Sequence, residues 1–457
     1  MEKVCCQRLS GYEPTAVRGA LEAVLGPVLA HRGGVAGKRV MIKPNFLEYR
    51  KPDDPACVHP VMLTGLCAFL RDAGAAELAV IENPAVRTAP AIAAAMGVTE
   101  TLASLGVRVA NCSRYERTAM PETCLFKQLE VAAEFREYDW VIDFAKAKTH
   151  AMMTLTLAVK NLFGLIRGSE RLGWHLAVGR DYDKFADLLL DLYTLVRPQI
   201  SLLDAVIGME GNGPGSGDPV RLGFVAAATD ALALDASAAE LLGAPDIPVL
   251  TRARARGMMP EFEICGDVPE IHPVVLPEPP APTLAWGVWF PVKLRDFLRR
   301  RMVARPVLDA AKCVGCGLCA AKCPPRTLKM RSGKPKFDYP GCIRCYCCQE
   351  YCPQGAITSG KTWLMRLADR LEKLLRRGRV AAVLPRIVHD SEMPKLQQQL
   401  AVLRDYGIRD VLVGNLGLLI AVRELGMRIH GDFGLNIFNS ASMNVLRSLE
   451  LASATAS

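Results

Sequence analysis

Eight cysteines repeat one spacing twice: Cys313-x2-Cys316-x2-Cys319-x3-Cys323-Pro324, then Cys342-x2-Cys345-x2-Cys348-x3-Cys352-Pro353. Three thiolates on so short a loop can wrap one 4Fe–4S cubane, while the fourth, beside proline, crosses to the other cluster. The spacing predicts two 4Fe–4S clusters. One is held by Cys313, Cys316, Cys319 and Cys352, the other by Cys342, Cys345, Cys348 and Cys323. Such centres pass single electrons. Structural zinc uses sets of four ligands built from C-x2-C pairs, and a duplicated run of four ending in Cys-Pro does not fit that pattern. Gly315 and Gly317 let the first loop curl close to its cube. Residues 343–344 and 346–347 replace those glycines in the second loop, which is expected to be less open. Cys347 is a spare thiol, read as packing or a bystander.

A second constellation is spread over the first half of the chain. The short β run 39–42 leads into Lys43 and Asn45, and 78–81 into Glu82. The run 140–144 leads into Lys146, Lys148 and His150, and 200–203 into Asp204. Lys160 and Asn161 follow a helix-like stretch at 154–159. In an open α/β sheet the ligand crevice lies at the carboxyl ends of the strands. These nine residues are therefore expected at one sheet edge, where the four lysines would suit a carboxylate or phosphate. An added flavin is compatible with such a crevice. One lysine at a strand end is usually a rim residue, and one histidine is usually structural; the case rests on four strand ends agreeing. The glycine-rich run 208–217 lacks the Gly-Lys-Ser/Thr ending of a phosphate loop.

The elements that must position these residues alternate along the chain. Residues 15–32 put Val17, Leu21, Val24, Leu25 and Val28 on one helical face and stop at Gly33-Gly34. Further helices are expected at 60–73, 99–105 and 185–196, with strands also at 107–110 and 224–227. This alternation predicts an α/β domain over 1–268 with a largely parallel sheet. Seven prolines between 269 and 291 mark a linker, 269–305, which also carries Lys293, Arg295, Arg299, Arg300, Arg301 and Arg305. A small α+β ferredoxin-like module, 306–360, holds the cysteine cluster. The C-terminal segment, 361–457, opens with a basic helix near 362–378 bearing Arg366, Arg370, Lys373, Arg376, Arg377 and Arg379. Strands at 380–384, 410–413 and 428–432 follow, with helices at 393–406, 418–425 and 442–449 and a fourth strand beginning near 452.

Half of the 457 residues are apolar and 23% are charged, a globular balance. No apolar run reaches membrane-spanning length, and the N-terminus lacks a signal pattern, so a cytoplasmic location is expected. Nine of the sixteen cysteines fall between 313 and 352. That clustering reads as metal ligation, and the seven scattered cysteines read as reduced or buried thiols. The net charge of +9 reads as solvated helix faces, or as a surface for an acidic redox protein or RNA.

Three resemblances add to this reading. The cysteine module is similar to the bacterial two-cluster ferredoxins. The strings Val-Met-Ile-Lys43-Pro-Asn45, Lys146-Ala-Lys148-Thr-His150, Lys160-Asn161-Leu-Phe-Gly164, Asp204-Ala-Val-Ile-Gly208-Met-Glu-Gly211-Asn-Gly-Pro and Thr229-Asp230-Ala-Leu-Ala-Leu-Asp235 resemble the family called domain of unknown function 362. Members of that family often carry a ferredoxin module after this domain; their chemistry is not established. The strings Asp410-Val-Leu-Val-Gly414-Asn-Leu-Gly417 and His430-Gly431-Asp432-Phe-Gly434-Leu-Asn436-Ile-Phe-Asn439-Ser440 resemble the front of the collagenase-like peptidase family (class U, family 32). That likeness implies part of a β/α barrel. Relatives of that family that hydroxylate RNA bases or quinones use later cysteines, but no cysteine follows Cys352 here. No Ser/His/Asp or Cys/His arrangement supports a protease.

The leading expectation is an iron–sulfur oxidoreductase that relays electrons to or from an anionic ligand in the N-terminal domain, with a redox protein as partner. A non-catalytic electron-transfer or scaffold protein and an RNA-associated maturation factor are the alternatives. Three strands cannot close a barrel. The tail should therefore pack on the rest of the chain, pair with a second copy or meet a partner chain, with a truncated barrel as the alternative.

Overall fold

The computed structural model describes residues 1–49, 54–277, 304–362, 365–367, 370, 381–384, 393–405, 408–431, 435, 451 and 453–454. They fall into two compact units, Met1–Pro280 with Arg305–Gly360, and Ala281–Ala304 with Lys361–Ser457. The basic residues Lys293, Arg295, Arg299, Arg300, Arg301, Lys373, Arg376, Arg377 and Arg379 lie outside the described residues, as do the helix expected at 442–449 and Asp432, Asn436, Asn439 and Ser440.

The first unit is mixed α/β. Its strands are β1 (Glu2–Arg8), β2 (Arg39–Pro44), β3 (Glu77–Glu82), β4 (Val107–Asn111), β5 (Tyr115–Ala119), β6 (Gln128–Ala132), β7 (Trp140–His150), β8 (Thr154–Thr156), β9 (Ile200–Glu210), β10 (Asp218–Ala228) and β11 (Phe262–Gly266). Among the described residues one large sheet has the order β11-β1-β10-β9-β7-β2-β3-β4, with β8 paired to β7, and β5–β6 is a separate hairpin. The block β9-β7-β2-β3-β4 is parallel throughout. β10 is antiparallel to both β9 and β1.

β2, β3, β7 and β9 are buried on both faces, so their central residues are largely apolar. Met41, Ala79, Val141, Ala145 and Leu203 join one core with helices Tyr182–Val196 and Ala231–Leu241. Val40, Ile42, Leu78, Val80, Ile142 and Phe144 join the other with helices Pro14–His31 and Pro60–Asp72.

Several elements differ from the sequence expectation. β7 does not stop at 144; it continues to His150, and all eleven residues are buried. Pairing to β9 and β8 carries the strand past its apolar run, so Lys146, Lys148 and His150 lie within it. The stretch expected as a helix at 154–159 is strand β8, followed by a short helix, Ala158–Asn161. β-branched Thr156, paired against Lys148, favours the strand there. β9 likewise runs on to Glu210, so the glycine-rich run begins inside the strand and turns the β9–β10 hairpin. A Cβ on Gly213 would collide with the Thr149 carbonyl, so this hairpin packs against the end of β7. The start of the proline-rich stretch also belongs to the unit. His272 and Val274 donate to the carbonyls of Leu241 and Leu242, and the Gly211 amide donates to Val275.

The cysteine module is a small α+β piece of the same unit. β12 (Arg305–Leu308) pairs antiparallel with β15 (Ile357–Gly360), and β13 (Leu328–Arg331) pairs with β14 (Lys334–Phe337). Short helices Leu318–Ala321 and Cys347–Glu350 follow the two cysteine loops. In the second unit β16 (Ala381–Val383), β17 (Asp410–Val413), β18 (Arg428–Gly431) and β19 (Ser453–Ala454) form a parallel sheet in that order. Helices Met393–Asp405 and Leu419–Glu424 supply its β/α alternation. Among the described residues no helix is long and apolar enough to cross a membrane.

Candidate functional site

Each cysteine loop is built by left-handed backbone positions. Gly315 and Gly317 have φ of 73° and 77°. A Cβ on Gly315 would meet the Gly333 carbonyl oxygen at 2.6 Å, whereas one on Gly317 would meet only Met330 at 4.0 Å. The corresponding residues of the second loop, Arg344 and Tyr346, adopt φ of 61° and 57°. The second loop therefore curls as the first does, contrary to the expectation from its missing glycines. Neighbouring contacts hold these positions: Arg344 donates to the Tyr339 carbonyl at 3.3 Å, its own carbonyl accepts from Tyr182, and the Tyr346 hydroxyl meets Ser359 at 3.0 Å.

The eight cysteines of the repeated spacing lie close together in this module. Cys313, Cys316, Cys319 and Cys352 line one hollow. Burial pushes the Cys319 thiol up to about 11, and Cys352, Cys316 and Cys313 add like-charge repulsion. Burial also raises Cys348 well above its ordinary value, with Cys345, Cys342 and Cys323 its foremost charged neighbours. Thiolates that repel one another in this way are gathered by the positive charge of a metal centre. The Ala356 amide donates to the Cys352 sulfur at 3.2 Å, the kind of outer contact that orients a ligand. The two sets fit iron–sulfur clusters, whose chemistry when bound is one-electron transfer. Among the described residues no group of three or more His, Cys, Asp or Glu side chains is gathered as a single-ion site.

The strand-end residues form a second site beside this module. A cleft of about 690 Å³, including its open mouth, is lined by Lys43, Asn45, Glu82, Lys148, His150, Lys160 and Asn161. Lys43 Nζ lies 2.5 Å from Glu82. Gly164 makes that contact possible, because a Cβ there would come within 2.9 Å of Lys43 Nζ and closer still to the carboxylate. Asn45 links Lys148 to Asn161: its Oδ1 accepts from Lys148 at 2.7 Å and its Nδ2 donates to Asn161 at 2.9 Å. Asn161 in turn donates to Asp143 at 2.7 Å. The Asp235 carboxylate caps the helix that carries Lys160, accepting from Ala158 and Val159 at 2.7 and 3.1 Å.

Lys146 and Asp204 are placed elsewhere. They form a buried pair at 2.7 Å, with Tyr12 at 2.9 Å from Lys146, and Asp204 also accepts from the His59 amide. Neither is among the residues lining the cleft. Both are almost fully buried, and pairing compensates two charges held away from water.

Some lining residues were not legible in the sequence. Arg171 and His175 come from the helix Gly168–Val178, and Cys347, Glu350 and Tyr351 come from the module's second loop. The Gly168–Val178 helix has a weak apolar stripe, so periodicity gave little signal. His150 Nε2 lies 3.1 Å from Glu350, while its Nδ1 accepts from the amides of Met152 and Met153. Its ring proton therefore sits on Nε2, pointing to the carboxylate. Burial pushes His150 down to about 4. Burial opposes ionisation of Glu350 as well, but the His150 hydrogen bond and the Lys160 charge outweigh it and hold Glu350 well below the usual carboxylate range.

The cleft is electropositive. Lys43, Lys148, Lys160 and Arg171 face two carboxylates, Glu82 and Glu350. Burial lowers Lys148 to about 8 and also lowers Lys160. Lys160 lies 5.1 Å from the Phe163 ring centre, and among the described residues no carboxylate pairs with it. Arg171 Nε and His175 Nδ1 are buried with no hydrogen-bond partner among the described residues.

Comparison with known proteins identifies two regions of the chain. The family described as Domain of unknown function (DUF362) matches residues 40–240, and the 4Fe-4S dicluster domain matches residues 305–353. The thylakoid-associated protein sll1697 of Synechocystis sp. is 30% identical over 267 residues, which cover 57% of this chain and 81% of that protein. Among solved structures, the lactate racemase apoprotein from Thermoanaerobacterium thermosaccharolyticum aligns at 14% identity with a TM-score of 0.33, over 50% of this chain and 53% of that one.

Proposed function

This chain belongs to the family described as Domain of unknown function (DUF362), and from that membership and its 4Fe-4S dicluster domain we propose that it is an oxidoreductase acting on a small anionic ligand bound in the cleft. One observation carries the reading: Cys347, Glu350 and Tyr351, from the cysteine module, form a wall of the same cleft that Lys43, Lys148 and Lys160 line. Cys347 directly precedes the ligand Cys348, so a molecule in the cleft sits against the second ligand set, Cys342, Cys345, Cys348 and Cys323. The first set is Cys313, Cys316, Cys319 and Cys352, and two clusters are assigned. Lys160 and Arg171 supply charge for a carboxylate or phosphate, and the free edges of Arg171 Nε and His175 Nδ1 supply hydrogen bonds to it. The His150–Glu350 hydrogen bond ties the module to the sheet edge.

The test is mass spectrometry of small molecules released by denaturing anaerobically purified protein. The wild type should release an anionic compound that is missing from Lys160→Gln and Arg171→Gln, both of which keep their iron and sulfide. Release of no compound, or of the same compound from both variants, would return the chain to a pure electron carrier.

A further inference from the structure

The two cysteine loops meet very different surroundings. The second is covered: Cys345 and Cys348 are 7% and 8% exposed, and Cys347 is 1% exposed against the cleft. The first faces outward, with Val314 66% exposed and Cys316 also exposed. Their charges differ as well. Residues 310–337, which hold the first loop and the β13–β14 hairpin, contain seven Lys or Arg and no Asp or Glu.

That positive charge is set around the first loop by the fold. The turn of the hairpin touches the loop, since the Gly333 carbonyl lies where a Gly315 side chain would be. Lys334 donates to the carbonyls of Ala310 at 3.0 Å and Cys313 at 2.5 Å, which fixes its charge at the base of the loop. Lys329, Arg331 and Lys336 are exposed along the hairpin, and the Lys312 side chain, next to Cys313, is 63% exposed with Asp309 3.9 Å away. Met330 and Pro335 line the hollow between them.

We propose that this face is the docking surface for a small acidic electron-carrier protein, which engages Lys312, Lys329, Arg331 and Lys336 and seats over Val314. On transfer the reduced carrier, an acidic iron–sulfur or flavin protein, loses one electron and the chain gains it; no bond forms or breaks. Charge complementarity of this kind speeds encounter and selects partners by sign. A membrane surface fits less well, because Val314 is the one strongly exposed large apolar side chain on the loop and offers little to a bilayer. The proposal does not depend on what the cleft binds.

The test is calorimetric titration of the full cluster-loaded chain with an acidic 2Fe–2S ferredoxin and, separately, with a basic c-type cytochrome. The acidic protein alone should bind, about tenfold or more weakly at about 300 mM salt than at about 50 mM. Lys329→Glu with Arg331→Glu should weaken it by about tenfold or more, and Lys312→Glu with Lys336→Glu should do the same. Arg117→Glu, exposed on the separate β5–β6 hairpin, should leave binding unchanged. Visible absorbance checks that each variant keeps its clusters. No binding of the acidic protein at low salt, equal binding of the cytochrome, or indifference to both double variants would overturn the assignment. Binding to anionic phospholipid vesicles without binding to the ferredoxin would overturn it in favour of a membrane.

Discussion

The two glycines of the first cysteine loop permit a controlled comparison. Both have positive φ, so alanine at either position pays the left-handed penalty of about 1–2 kcal/mol. Only at Gly315 does the new Cβ meet a backbone oxygen, the Gly333 carbonyl at 2.6 Å. Relieving that contact must move the loop or the hairpin, which adds roughly 1–3 kcal/mol of overpacking. Gly317→Ala should therefore lower stability by about 1–2 kcal/mol and keep its iron. Gly315→Ala should lose about 2–5 kcal/mol in all and release iron from the set of Cys313, Cys316, Cys319 and Cys352. Anaerobic denaturant unfolding, followed by visible absorbance together with iron and sulfide analysis, measures both. If the two variants match in stability and iron content, the close approach of hairpin and loop does not shape the site.

The ligand assignment predicts about eight iron and eight sulfide per chain, and Cys323→Ala should damage the set of Cys342, Cys345 and Cys348; damage confined to the other set would disprove the crossing. Glu82→Gln removes the carboxylate 2.5 Å from buried Lys43 and should cost about 3–5 kcal/mol, read from the unfolding midpoint, because an uncompensated charge stays behind. Anion affinity of the cleft should fall as pH rises through about 8, where Lys148 loses its proton; a titration that is flat or rising from neutral to alkaline pH would contradict that. His150 and His175 are pushed down by burial to about 4 and about 3. The unfolded chain therefore binds more protons than the native one between the ordinary histidine value and those lowered values. The resulting stability is complete above about 6.5 and is lost as the medium is acidified toward pH 4; an unfolding midpoint constant over that window would refute it.

The 4Fe-4S dicluster domain was legible in the sequence because its information is local. Three thiolates at fixed short spacing and a Cys-Pro fourth specify the site before any long-range packing is known. The parallel block was legible for a similar reason. Strands buried on both faces are largely apolar, and 40–42, 78–81 and 140–142 announce themselves. Among the described residues of the C-terminal segment, the strands at 381–383, 410–413 and 428–431 and the helices at 393–405 and 419–424 were clear in outline.

What only the tertiary structure decided are the properties that depend on residues far apart in the chain. Lys43, Lys148, His150 and Lys160 line one cleft, although Lys148 and His150 lie within β7 and Lys160 in a short helix rather than at strand ends. The separation of Lys146 and Asp204 into a pair with Tyr12 did not follow from strand-end placement, because alternation along a strand fails where β7 shifts register against β9. Arg344 and Tyr346 looked like poor substitutes for glycine, yet contacts from Tyr339, Tyr182 and Ser359 hold both in the left-handed region. Glu350 gave no sign of facing His150, which lies 200 positions before it. A cleft wall contributed by one piece of chain to another is set by packing of whole elements, and no periodicity or spacing within either piece encodes it.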